Sequence, residues 1–140
     1  MTYRKATIRP YRPDDESLLF GLARESFGTR TEWSDAETLT ALETDTVFVA
    51  ELAREPAGYV ALRRQADAFC VEQLLVSSRH EGEGIGRQLL DYAEGYAISE
   101  GAVSLRIVVE EDNTRARDLY RRRGFAPVEE DVLELILPAD

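Results

Sequence analysis

A glycine-rich segment directly follows a short apolar run, and this order constrains the fold more than any other feature of the chain. The apolar run LLV ends at Val76, and three glycines that alternate with other residues end at Gly86. Helix-forming residues come next, so the sequence predicts a strand, a glycine-rich loop and a helix. In such a loop the backbone N–H groups can approach an anion closely, and the helix dipole adds to the attraction. The segment therefore predicts a phosphate-binding site.

Two common phosphate-binding motifs do not match this segment. A P-loop requires Gly-Lys-Ser/Thr, whereas Arg87 and Gln88 follow Gly86. A dinucleotide fingerprint requires Gly-x-Gly-x-x-Gly and an acidic residue about 20 positions further on. Here the spacing is Gly-x-Gly-x-Gly, and Ala102 stands where the acidic residue is needed. A plain glycine-rich turn that binds nothing is the alternative interpretation.

A second segment, NTRARDLYRRRGF at residues 113–125, has the features of a complete short helix. Asn113 stands where an N-cap is expected, and Gly124 stands where a left-handed residue ends a helix. Phe125 is expected to begin a new strand. The spacing places three residues on one helical face, namely Ala116, Leu119 and Tyr120.

Together the two segments resemble the GNAT family of N-acetyltransferases. In that family a valine, seven further residues and Gly-x-Gly form the loop that binds the acetyl-CoA pyrophosphate. An Asn-x-x-Ala-x-x-Leu-Tyr-x-x-x-Gly-Phe helix follows one strand later. Here the first motif runs from Val76 to Gly86 and the second from Asn113 to Phe125, with the strand-like stretch SLRIVVEED between them. The resemblance covers roughly residues 3–137.

Periodicity and turn signals predict an α/β chain in the order β-α-α-β-β-β-α-β-α-β-β, which is also the order in the family. The resemblance implies a single-domain acyl-CoA N-acyltransferase (GNAT) fold over residues 1–140, with a mixed, mostly antiparallel sheet flanked by helices. The strands are expected at residues 4–9, 47–50, 58–62, 68–76, 103–109 and 132–137, with a turn at Glu55-Pro56. The helices are expected at 13–27, from Ser34 or Asp35 to 42, at 84–100 and at 113–123.

Two of these helices have apolar stripes that predict their buried faces. In the first helix the stripe is Leu18, Leu19, Leu22 and Ala23. In the central helix, which Gly101 ends, the stripe is Ile85, Leu89, Ala93 and Ala97.

The resemblance implies acetyl-CoA as co-substrate and no metal. The loop would offer its N–H groups to the pyrophosphate, and the preceding strand end would pair its backbone with the pantetheine arm. An N–H near Leu75 or Val76 would meet the oxyanion, and Asn113 would bind the pantetheine. The implied acetyl-CoA-binding residues are Leu74, Leu75, Val76, Glu81, Gly82, Glu83, Gly84, Ile85, Gly86, Arg87, Asn113 and Tyr120.

Tyr120 is the candidate proton donor to the departing thiolate. A phenol has a reference pKa of about 10, close to that of a thiol, so proton transfer to the thiolate need not be steeply uphill. A core aromatic residue on an amphipathic helix is the alternative. The frame of Asn113 and Gly124 favours the catalytic role.

Glu72 is the candidate general base. It is the only ionised residue between Ala68 and Ser78, and a glutamate in this strand serves as base in several members of the family. Burying an unpaired carboxylate is costly, so a structural ion pair with an arginine is the competing explanation. Glu110 and Glu111 are the alternative bases, and a substrate amine of low pKa needs none.

Glu81 departs from the family pattern, in which Arg or Gln usually occupies this position. An acid there would repel the pyrophosphate unless its side chain turns to solvent or pairs with Arg79 or Arg87. Arg87 in the first helical turn could compensate in part. The run of arginines at 121–123 could meet the 3′-phosphate of CoA, although a solvated helix face is the alternative for most of them.

Composition excludes several classes of protein. A net charge of −10 disfavours nucleic-acid binding and slightly favours a cationic acceptor. Because no apolar segment is long enough for a membrane span or a signal peptide, no membrane partner and a cytoplasmic location are expected. The single cysteine, Cys70, lies in an apolar run and reads as a core residue, and the single histidine, His80, excludes a histidine-based metal cluster.

The resulting hypothesis is an N-acetyltransferase that moves an acetyl group from acetyl-CoA to a primary amine of a small molecule or peptide. The alternatives are a non-catalytic acyl-CoA-binding regulatory domain and a transferase that uses a longer acyl-CoA. In the family, acceptor specificity lies mainly in the first two helices and their connection. Candidates to line an acceptor pocket there are Phe27, Glu32 and Trp33. Dimers are common among relatives, which leaves a homodimer open.

Overall fold

The computed structural model describes residues 3–27 and 35–138, and its elements follow the predicted order. They are β1 (Thr7–Pro10), α1 (Glu16–Phe27), α2 (Asp35–Thr44), β2 (Thr46–Leu52), β3 (Glu55–Gln65), β4 (Ala68–Val76), α3 (Ile85–Ser99), β5 (Ser104–Val108), α4 (Thr114–Arg122), β6 (Ala126–Glu129) and β7 (Val132–Ile136). Short 3₁₀ turns at Pro13–Asp15 and Ser78–His80 precede α1 and the glycine-rich loop. Trp33, Glu32 and Ser34 lie outside the described residues, as does the side chain of Phe27.

The strands hydrogen-bond in the order β1-β2-β3-β4-β5-β7-β6. The β4–β5 pair is parallel, whereas β1–β2, β2–β3, β5–β7 and β6–β7 are antiparallel. Because parallel neighbours need a crossover connection, α3 carries the chain from the end of β4 to the start of β5. The predicted mixed, mostly antiparallel sheet flanked by helices is confirmed.

Two compact units can be distinguished, one formed by Met1–Leu62 with Gln73–Ala93 and the other by Arg63–Glu72 with Glu94–Asp140. In the first unit, some apolar residues of α1 and α2 pack against β2 and β3. The Tyr59 hydroxyl is buried there and donates to Gln73 Oε1 at 2.7 Å, which satisfies it inside the apolar layer. The core residues of this cluster are Leu19, Ala23, Leu42, Val47, Val49, Tyr59, Ala61 and Leu75.

In the second unit, β5 and β7 bury Leu105, Ile107 and Leu133. The ring of Phe69 meets that of Tyr96 edge-on, with centroids 5.5 Å apart. Such edge contacts between aromatic rings add to the stabilisation from apolar burial. Cys70 is buried in this unit, as expected for a core residue.

The apolar stripe of the central helix is confirmed, because Ile85, Leu89, Ala93 and Ala97 are all buried. In the first helix the burial prediction is wrong for Leu18, which is 56% exposed, because a stripe four residues wide extends beyond the side of a helix that faces the sheet.

The first strand begins at Thr7 rather than at residue 4. The backbone before Thr7 does not pair with β2, because its polar groups bind elsewhere: Arg4 N–H donates to Glu83 O at 3.0 Å and Ala6 N–H donates to Gln88 Oε1 at 2.9 Å. Phe125 likewise lies just before β6 rather than inside it.

The turn between β2 and β3 also lies earlier than expected. It is formed by Ala53 and Arg54, which have φ angles of 50° and 67°, and β3 already begins at Glu55. Two residues with positive φ suit the twist of a tight hairpin. Neither alanine nor arginine is a typical residue for that conformation, so the sequence pointed to Glu55-Pro56 instead.

Candidate active site

The second half of β4 lies beyond the ladder with β5. The parallel register joins Ala68 to Ser104 and ends where Val71 meets Ile107. From residue 72 onward this ladder supplies no partners to β4, so backbone groups on that edge can bind a ligand. Within this stretch Leu75 is buried, whereas Leu74 and Val76 are half-buried.

The end of β4 is fixed from its other side by β3. A Cβ on Gly58 would stand 2.5 Å from the carbonyl oxygen of Leu75, so only glycine admits this approach. Ser77 N–H then donates to Ala57 O at 2.8 Å. Nothing near Gly58 in the sequence indicates this role, because a glycine inside a strand has several explanations.

The glycine-rich loop has the geometry of an anion site. Gly82 and Gly84 have φ angles of 78° and 84°, a conformation that glycine adopts without strain. Helix α3 then begins at Ile85, and its first intrahelical bond runs from Gln88 N–H to Gly84 O at 3.2 Å. In the described part of the chain, five backbone N–H groups of the loop and the first turn of α3 donate no hydrogen bond. They are those of Gly82, Gly84, Ile85, Gly86 and Arg87. Unpaired N–H groups at a helix N-terminus attract phosphate.

The acidic residues of the loop behave differently from each other. Glu81 is exposed, and among the described residues it forms neither of the pairs considered for it: Arg79 lies 3.9 Å from Glu55 instead. Glu83 is the half-buried acid, with its carboxylate 2.6 Å from His80 Nδ1 and 3.9 Å from Arg4. The hydrogen bond with His80 holds this carboxylate in place beside the loop.

Asn113 caps α4 as predicted, with its side-chain oxygen accepting from Ala116 N–H at 3.3 Å. Gly124 follows the helix with a φ of 106°. The outer side of α4 borders an open hollow of about 450 Å³ whose lining includes Asn113, Arg115, Ala116, Asp118, Leu119 and Arg122.

Tyr120 lies on the buried face of α4 and is 8% exposed. Its ring packs edge-on against Phe125, and burial raises the pKa of its hydroxyl, an effect that the positive charge of Arg123 opposes in part. Arg123 itself forms a half-buried ion pair with Glu94, so it is not part of a solvated face available to a ligand. Arg121 and Arg122 are exposed.

Glu72 lies on β4 with 17% of its side chain exposed, and its carboxylate is 3.4 Å from the guanidinium of Arg63. The structural ion pair that competed with the base role is therefore present. The alternative bases Glu110 and Glu111 are both exposed, and Glu111 N–H donates to Asp131 at 3.1 Å.

Two residues that hold these elements in place were not predicted from the sequence. Arg117 is only 9% exposed, and its guanidinium donates to Val109 O at 2.9 Å and to Glu130 O at 3.1 Å, which anchors α4. Its position three residues before Tyr120, on the same helical face, could have revealed it. Gln88 binds three backbone groups around the glycine loop, and no local signal marks it.

Among residues 3–27 and 35–138, no helix is both long and apolar enough to cross a membrane. The same residues contain no group of three or more His, Cys, Asp or Glu side chains arranged to hold a metal ion.

Comparison with known proteins defines the class to which this fold and these two motifs belong. The profile of the Acetyltransferase (GNAT) family matches residues 11–125, and the chain belongs to that family.

Individual relatives agree with this assignment. The chain is 38% identical over 86 residues to mycothiol acetyltransferase of Jonesia denitrificans, covering 60% of this chain and 27% of that protein. It is 33% identical over 101 residues to streptothricin acetyltransferase of Streptomyces lavendulae, covering 71% of this chain and 49% of that protein. The chain thus matches half or less of the length of these relatives.

The fold is also similar to that of the PaiA N-acetyltransferase from Thermoplasma acidophilum, solved in complex with coenzyme A. The TM-score is 0.78 at 20% identity, and the match covers 95% of this chain and 99% of that one.

Proposed function

We propose that the chain is an N-acetyltransferase that moves the acetyl group of acetyl-CoA to a primary amine of a small molecule or peptide. The observation that carries this proposal is the glycine loop: Gly82 and Gly84 in the left-handed conformation, followed by the unpaired N–H groups that begin α3. A loop of this kind binds a diphosphate without a lysine or a metal. Membership of the GNAT family supports acetyl-CoA as the source of that diphosphate.

The residues of β4 assigned to acetyl-CoA are Leu74, Leu75 and Val76. Their backbone lies beyond the β5 ladder, which supports pairing with the amide groups of the pantetheine arm. A backbone N–H in this stretch would also stabilise the oxyanion of the tetrahedral intermediate. Donors fixed in advance are effective at this task because they need no reorganisation during the reaction.

Tyr120 is assigned as the proton donor. As the C–S bond of the intermediate breaks, the thiolate takes the proton from the phenol, and the carbonyl re-forms as an amide of the acceptor. A phenol of ordinary pKa already keeps its proton in the neutral range, and burial raises the pKa of Tyr120 further. Retention of the proton is the condition for a general acid.

Glu72 is assigned as the base that accepts a proton from the acceptor amine, directly or through a water molecule. Its partial exposure on β4 supports this role, and the guanidinium of Arg63 lies 3.4 Å from its carboxylate. The acceptor is proposed to be cationic in its resting state, because the chain carries a net charge of −10 and an acidic surface attracts amines.

Thermal stabilisation by acetyl-CoA, free CoA and dephospho-CoA tests the cofactor assignment. At millimolar ligand we expect acetyl-CoA and CoA to raise the melting temperature by several degrees, because a ligand that binds only the native state stabilises it. No stabilisation by any CoA species would overturn the assignment.

Release of free CoA thiol over a panel of amines then tests the transferase activity. The panel should contain polyamines, aminoglycoside-type and streptothricin-type amines and peptides with free N-termini. Amine-dependent release supports acetyl transfer. Stabilisation by acetyl-CoA without release for any amine supports the binding domain instead.

A further inference from the structure

The N-terminal segment, defined here as residues 3–6, is bound to the glycine loop rather than to the sheet. Arg4 N–H donates to Glu83 O at 3.0 Å, and the guanidinium of Arg4 lies 3.9 Å from the Glu83 carboxylate. The ring of Tyr3 lies against Gly84, where a Cβ would come within 2.8 Å of it. The segment thus contacts the loop at two successive residues.

The side chain of Gln88 joins this segment to the loop. Its Oε1 accepts from Ala6 N–H at 2.9 Å, and its Nε2 donates to Arg4 O at 2.7 Å and to Gly84 O at 3.1 Å. The oxygen and both hydrogens of the amide group are therefore used, and all the partners are backbone groups. An amide side chain is suited to this task because it presents donors and an acceptor at once.

Gly84 O receives two hydrogen bonds from the same residue, one from the Gln88 side chain and one from the Gln88 backbone N–H at 3.2 Å. Gly84 is one of the two loop glycines with positive φ, and the unpaired N–H groups that begin α3 follow it directly. Holding its carbonyl from two directions fixes the peptide planes that present those N–H groups.

We propose that Gln88 is a positioning residue for the phosphate loop and that the N-terminal segment, bound to both, helps to hold the loop in its binding conformation. The inference rests on the proposed function, because it concerns how the loop is held ready for the diphosphate of acetyl-CoA. A loop ordered before binding loses less conformational entropy when the ligand arrives, which tightens binding.

The test is steady-state kinetics of Gln88→Met, a variant that preserves side-chain length and helix propensity. We expect KM for acetyl-CoA to rise about tenfold, with kcat at saturating acetyl-CoA and KM for the amine unchanged within about twofold. Gln65→Met is the matched control, since Gln65 is exposed at the end of β3. A fall in melting temperature without a change in KM for acetyl-CoA would reveal a merely structural role and overturn the inference.

A second pair of variants tests the role of the N-terminal segment while Gln88 is left unchanged. Arg4→Pro removes the backbone donor to Glu83 O, whereas Arg4→Ala keeps that donor and loses only an exposed ion pair. We expect Arg4→Pro to raise KM for acetyl-CoA about as much as Gln88→Met does, and Arg4→Ala to raise it less than about threefold. Equal effects of the two would overturn the role of the backbone contact.

The outcome for the wild-type chain separates this inference from the proposed function. If the wild type binds acetyl-CoA and transfers its acetyl group while Gln88→Met and Arg4→Pro bind it equally well, only the inference fails. If the wild type binds no CoA species, both fail.

Discussion

The ring of Tyr120 packs edge-on against the ring of Phe125, with 5.7 Å between the ring centroids. Phe125 is buried and directly follows Gly124, whose positive φ turns the chain back along α4. The contact fixes the direction of the Tyr120 side chain. A Tyr120→Phe substitution preserves this packing and removes only the hydroxyl, so it is a clean test of the hydroxyl's role.

We expect Tyr120→Phe to lower kcat by about 100-fold, the usual contribution of a general acid, while KM for acetyl-CoA changes by less than about twofold. Thiol release at saturating acetyl-CoA measures the first quantity and its dependence on acetyl-CoA concentration the second. Tyr92→Phe, at a partly exposed tyrosine of α3, serves as the control. An unaltered kcat would remove Tyr120 from the mechanism.

Glu72 has two candidate roles that the pH–rate profile can separate. If it is the base, Glu72→Gln abolishes the acidic limb of the kcat/KM profile, because the proton acceptor is gone. Arg63→Gln breaks the same ion pair but keeps the carboxylate, so its acidic limb should persist. If both variants keep the wild-type profile, Glu72 is not the base and the pair is structural.

The close approach of Gly58 to Leu75 predicts that Gly58→Ala destabilises the chain by about 1–3 kcal/mol, the usual cost of forcing extra volume into a packed site. Gly95→Ala is the matched control, because nothing lies within 4 Å of a Cβ at that helical position. It should stabilise the chain by about 0.5–1 kcal/mol. Urea unfolding measures both, and equal stability of Gly58→Ala and wild type would contradict the strand geometry.

Arg117→Met should lower the free energy of unfolding by about 1–3 kcal/mol, because it leaves the buried carbonyl of Val109 without its donor and removes the second hydrogen bond to Glu130 O. The exposed residue Arg115 provides the comparison, since Arg115→Met should change stability by less than about 0.5 kcal/mol. Chemical denaturation monitored by circular dichroism gives both values. Similar values for the two variants would argue against Arg117 as the anchor of α4.

The ion pair between Arg9 and Asp15 predicts that the chain loses stability in acid. Arg9 donates to both of its carboxylate oxygens, at 2.8 and 2.7 Å, and this hydrogen bonding lowers the pKa of Asp15 in the folded chain. Because the folded pKa lies below the unfolded value of about 3.9, the contribution is present above that value and is lost as the pH falls through the folded pKa. Asp15→Asn should lower the free energy of unfolding at pH 7. The difference in this free energy between the variant and wild type should become smaller below pH 4. A constant difference down to pH 2 would contradict this.

The features predictable from the sequence are those with local signals. The glycine loop, the Asn113 cap and Gly124 each combine a residue type with a required backbone conformation, and all three have the expected geometry. The order of elements followed from periodicity in the same way. The buried face of α3 was predictable because its apolar residues recur at four-residue spacing.

The features that could not be predicted depend on contacts between distant residues. Gln88 binds groups 82 and 84 positions earlier in the chain, and nothing near Gln88 in the sequence indicates this. The hairpin at Ala53 and Arg54 adopts a conformation that its own residue types disfavour, so pairing of β2 with β3 must stabilise it. For Glu81 the concern was repulsion of an anion, but Glu83 is the acid held within the loop, by His80.

The most direct test of the central claim follows the acetyl group itself. Acetyl-CoA labelled with carbon-13 in the acetyl carbonyl is incubated with the wild-type chain and the amine panel, and the label is located by NMR and mass spectrometry. We predict that the label appears as an amide on the nitrogen of at least one amine, with release of one free CoA thiol for each amide formed. Label that remains on CoA, or that appears only as acetate, would contradict acetyl transfer to an amine.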